Sequence, residues 1–165
     1  LIEVQSPGLP NTSGATAVFA AGSAGSPSAL AWRLGHAGLL PFALGALLLW
    51  LVRPEAHPYV ALALSAYAAV IVSFLGGIHW GLAMRSAQPA NNALLVWGVV
   101  PSLVAAVAVV MPASAGLVIH GAMLLVCYAV DRRTYPQAGA APWLTLRFRL
   151  SAVAAVSCFV GAAGS

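Results

Sequence analysis

Apolar residues run almost without interruption through five stretches of this chain, and polar residues gather in the segments between them. The stretches are about 34–52, 58–84, 93–111, 114–130 and 144–163. Each approaches the roughly 20 residues that carry a helix across the hydrocarbon of a bilayer. The second would reach about 40 Å as a helix, enough to predict a tilted crossing. None shows the strict alternation of a barrel strand, and apart from a closed barrel only helices satisfy their own backbone groups inside lipid. The pattern predicts an all-α integral membrane protein, a five-span bundle over residues 32–165. Residues 1–31 form a low-complexity N-terminal arm rich in Gly, Ser, Ala and Pro, with no apolar face at helical spacing. Such an arm is expected to become ordered mainly against a partner. The fifth stretch carries Arg147 and Arg149 in its first two turns, and the alternative to a fifth crossing is a helix lying in the interface.

Composition supports the membrane assignment. The chain of 165 residues is 61% hydrophobic and 6% charged, against about 25% charged residues in soluble domains. Its net charge of +4 would suggest nucleic acid in a soluble protein. Here the arginines are topology signals, and no nucleic-acid partner is expected. Arg33, Arg85, Arg132, Arg133, Arg147 and Arg149 fall on the side of the N-terminus and Arg53 alone on the other. That bias places the N-terminus inside, facing the cytoplasm or the mitochondrial matrix. Trp32, Trp80, Trp97 and Trp143 sit near the inner boundary and Trp50 near the outer one, where an indole prefers to lie. The chain opens on Leu1 rather than Met, which leaves a cleaved leader open. Cys127 and Cys158 are expected at different depths and unbridged.

Within the second span, Ser65, Ala69, Ser73, Gly77 and Gly81 recur every four residues, with Gly76 adding a second contact point. Small residues at this spacing predict a groove for a closely packed helix, inside the bundle or from a partner. His79 beside Trp80 lies about 9 Å from the inner boundary and is read as a neutral imidazole bonded to a neighbouring helix. A ligand role, including haem ligation with His36, is the alternative. His120 lies near the middle of the fourth span, and His57 reads as a loop residue. Past the arm with its Glu3, Asp131 is the one acid on the basic side, expected to pair with Arg85 or Arg149. Arg85, Arg132 and Arg133 are candidates for anionic headgroups such as cardiolipin. No acid falls mid-span, no inverted repeat divides the chain, and no phosphate loop, GxSxG, HExxH or CxxC appears. No catalytic residue, cofactor or metal is therefore expected.

The segments GHAGLLPF (35–42), SFLGGIHWGLAMR (73–85) and VDRR together resemble the membrane family known as domain of unknown function 3429, over about residues 32–163. The resemblance implies a multi-spanning protein of bacterial inner membranes or mitochondria, with Phe74, Gly76, Gly77, His79, Trp80 and Gly81 as family signature and no established reaction. Together these readings lead to a non-catalytic accessory or structural subunit of an energy-converting membrane complex, respiratory rather than photosynthetic. Its partners would be membrane lipids and other subunits. The alternative is a transporter of small solutes or lipids using His79 and His120.

Overall fold

A computed structural model describes residues 25–85 and 92–165. The expected arm therefore lies outside the described residues up to residue 24. All regular structure among the described residues is helical: α1 Ala29–Ala37, α2 Leu40–Leu51, α3 His57–Arg85, α4 Asn92–Val110, α5 Ala113–Gln137 and α6 Leu144–Ala163. Taken with their short leading turns they make five helices long and apolar enough to cross a membrane: Ala29–Leu51, Pro54–Arg85, Asn92–Val110, Ala113–Gln137 and Ala141–Ala163. The fifth is a full-length helix despite its two arginines.

Helix α1 begins at Ala29, inside the segment expected as arm, because Ser28 caps it by accepting from the Ala31 amide at 3.2 Å. The first span is not continuous. It breaks at Gly38-Leu39, just before Pro41, whose ring lacks an N–H and crowds the carbonyl four residues back. The break releases the Gly38 carbonyl, and the Tyr67 hydroxyl of α3 donates to it at 2.8 Å. Tyr67 is held edge-on to Phe42, with ring centroids 5.1 Å apart. Tyr67→Phe is expected to cost about 1 kcal/mol by leaving that carbonyl unpaired, measured as a lower melting temperature in detergent.

Helix α3 is central, packing against α2, α4, α5 and α6, while α1 leans on α6. The core gathers Phe42 and Leu49 of α2, Leu64, Ala68 and Val72 of α3, Leu117 and Leu124 of α5, and Ala154, Ala155 and Cys158 of α6. Cys127 and Cys158 are both buried and free. Two glycine contacts set the closest crossings. A Cβ on Gly76 would strike the Gly98 carbonyl of α4, and one on Gly116 of α5 would strike the Ala108 carbonyl of α4. At both points backbone meets backbone, which only small residues permit.

These contacts divide the expected ridge between the inside of the bundle and its outer surface. Ser65 is buried and Ala69 and Ser73 are half-buried, but Gly77 and Gly81 are exposed, with nothing among the described residues near a Cβ built on either. Four residues turn a helix by about 400°, so each step of the ridge drifts by about 40°. From Ser65 to Gly81 the drift accumulates to roughly 160°, which carries the ridge from the core to the outside. Gly76 follows Ser65 by about three whole turns, returns to within roughly 20° of the same face, and stays inside. His57 is also not a loop residue: it opens α3, with Nε2 donating to the Val52 carbonyl at 3.3 Å.

Candidate functional site

The sequence around residues 74–81 is explained by what each position faces. Gly76 admits the backbone of α4, and the Trp80 ring lies across Gly98 with its Nε1 donating to the Leu95 carbonyl at 3.0 Å. Trp80 and Gly76, one turn apart, thus clasp the same stretch of α4. His79 points the other way, into the junction of α3, α5 and α6, and is only 1% exposed.

At that junction Asp131 is buried and accepts from Arg147 through both Nε, at 2.8 Å, and Nη2. The partner is Arg147 rather than the expected Arg85 or Arg149. On α6, Arg147 and Arg149 stand about 200° apart, so one must face inward when the other faces out. Arg149 is the outward one, its guanidinium 5.5 Å from the ring of Trp32. The inward Arg147 neutralises Asp131, which lets α5 remain helical through Gln137 instead of ending near Val130 as the polarity of Asp131-Arg132-Arg133 suggested.

His79 Nε2 sits 3.4 Å from Asp131 Oδ1 and 3.4 Å from Thr134 Oγ1. The Thr134 hydroxyl donates its hydrogen to the Val130 carbonyl at 3.1 Å, so it faces His79 as an acceptor. With two oxygens before it, Nε2 faces Asp131 and Thr134, while Nδ1 is buried without a hydrogen-bond partner among the described residues. Asp131, Arg147, His79 and Thr134 form one polar knot joining three spans at the arginine-rich end.

Beside this knot lies a cavity of about 600 Å³, walled mainly by apolar side chains of α1, α2, α3, α5 and α6. It follows from the break at Gly38: α1 leans on α6, and the space between that pair and α3 stays open. Along α3 it reaches from Arg85 to Ile71, about 21 Å of helix axis, comparable to one leaflet of a bilayer about 40–45 Å thick with its headgroups. Its polar wall consists of Arg85, Tyr135, Arg147 and Ser151. Ser151 is buried, one turn beyond Arg147, and its Oγ has no hydrogen-bond partner. Arg132 and Arg133 are exposed at the same end of the bundle.

The histidines do not line this space. His120 is fully buried in mid-span, its Nδ1 3.5 Å from Ser65 Oγ. His36 is exposed, donates through Nδ1 to the Trp32 carbonyl at 2.8 Å and stacks on the Trp32 ring. His79 by contrast is buried, so the two histidines considered together as ligands stand in different environments. Among the described residues no group of three or more His, Cys, Asp or Glu could hold a metal. Arg147 and Ser151 were not singled out by sequence reasoning. The available signal was the two-residue spacing of Arg147 and Arg149 within an apolar run.

The family model for DUF3429, a protein of unknown function, matches residues 27–163. Transmembrane protein 69 of Xenopus tropicalis is 50% identical over 58 residues, which is 35% of this chain and 22% of that protein. The chain thus matches under a quarter of that relative's length. No solved structure matches.

Proposed function

We propose that this chain, which belongs to the DUF3429 family, is a non-catalytic membrane protein that holds a lipid-like amphiphile in the cavity beside Arg147. The observation that carries this reading is the cavity itself: apolar along a leaflet's depth, polar at its arginine-rich end, and large enough for a small-molecule ligand. This keeps the lipid-handling alternative but moves it from His79 and His120 to the wall formed by Arg85, Arg147 and Ser151. The arginine bias supports an N-terminus on the cytoplasmic or matrix face, and the proposed location is a bacterial or mitochondrial inner membrane. Exposed Arg132 and Arg133 are candidates for anionic headgroups such as cardiolipin at the membrane surface.

Native mass spectrometry of the protein extracted in mild detergent tests the reading. A single lipid-sized adduct is expected, lost in Leu150→Trp, which fills the cavity, and kept in Leu125→Trp, which faces outward. Bare protein in every sample, or the same adducts in every sample, contradicts it.

A second reading, accessory subunit of a larger membrane complex, is favoured by Gly77 and Gly81, which leave a flank of α3 uncovered by the described residues. Gly77→Leu with Gly81→Leu is expected to release the chain from its partners while the bundle stays folded. An unchanged native mass for the assembly rules that reading out.

A further inference from the structure

We infer that the amphiphile has a single long chain and an oxyanion headgroup, a carboxylate or a phosphate monoester, seated between Arg85 and the Arg147–Ser151 turn of α6. The inference rests on the proposed amphiphile site and names its ligand class.

Size limits the chain number. A cavity of about 600 Å³ holds about twenty groups at the roughly 30 Å³ each of a liquid water. A methylene is of similar bulk, so one long alkyl chain with a small head already fills the space, and a second chain would lie outside it.

Chemistry limits the head. A guanidinium carries five N–H donors; Asp131 accepts from Nε and one Nη2 hydrogen and the Tyr135 hydroxyl accepts another, so two are left. Ser151 sits in a helix interior, where a hydroxyl often bonds back to the carbonyl four residues earlier, yet its buried Oγ has no partner. Arg85 adds a third donor group at the mouth, and among the described residues no Asp or Glu lines the cavity to compete. This wall supplies donors and asks for acceptors. Asp131 already balances the charge of Arg147, whereas Arg85 meets no carboxylate among the described residues of the cavity wall and favours an anion over a neutral acceptor.

The test uses the full chain in phosphatidylcholine nanodiscs, offered photoreactive analogues of palmitate, lysophosphatidate, monoacylglycerol and diacyl phosphatidate, with labelled peptides mapped by mass spectrometry. Palmitate or lysophosphatidate is expected to label the α1 and α6 walls at least about tenfold more than monoacylglycerol, and whichever dominates identifies the head. Arg85→Gln and Ser151→Ala should each lower that labelling roughly tenfold without moving the melting temperature. Equal labelling by monoacylglycerol overturns the oxyanion head but leaves the amphiphile site standing. Stronger labelling by diacyl phosphatidate overturns the single chain. Unchanged labelling in both variants puts the head elsewhere and overturns the inference. No wall labelling by any probe removes both the inference and the site.

Discussion

Asp131→Ala is expected to destabilise the bundle by about 3–5 kcal/mol, the usual cost of stranding one member of a buried ion pair. Arg147 is 8% exposed and directs two hydrogen bonds to that carboxylate. Without it, a guanidinium remains among apolar side chains of three spans, and the cost of that charge falls on the folded state. Arg147→Met in the same background removes the stranded charge. The double variant should therefore be more stable than Asp131→Ala alone, because contacting residues are not additive. Unfolding of each variant in mixed micelles, followed by circular dichroism, measures both quantities. Equal stability of Asp131→Ala and the wild type would mean that Arg147 escapes to water and that the knot does not tie the spans.

Gly76→Ala is the second large effect. The added methyl would enter the Gly98 carbonyl of α4, a backbone atom that cannot swing aside as a side chain can. Overpacking of this kind costs about 1–3 kcal/mol, and here it also forces apart the helices that Trp80 clasps. Gly77→Ala, one residue on, meets nothing among the described residues and should stay within about 0.5 kcal/mol. The pair of variants is its own control, since both replace a glycine in the same helix and carry the same propensity gain. Melting temperatures that fall only for Gly76→Ala support the assigned face; equal shifts would place α4 elsewhere.

How much was legible in the sequence depended on which physical quantity decided each feature. Hydropathy decides the crossings, so five spans could be read directly, including the one through Arg147 and Arg149. Register decides which small residues meet a neighbour, and a four-residue period does not hold register along a helix as long as α3. That is why Gly77 and Gly81 looked like a groove while Gly76 makes the contact. Pairing across helices decides the fate of Asp131. Arg85 and Arg149 matched it by depth, and only the rotation of α6 singles out Arg147. The cavity was the least legible feature, because it arises from a break in the first span and no motif marks it. Pro41 within GHAGLLPF was the local sign of that break, but where α1 leans afterwards is a tertiary outcome.

The most direct measurement is an experimental density map of the protein in lipid nanodiscs. An elongated feature running from the Arg85, Arg147 and Ser151 wall toward Ile71 and Phe42 is the result predicted. A map in which α1 closes onto α3, leaving no space beside Arg147 for a chain, would contradict it.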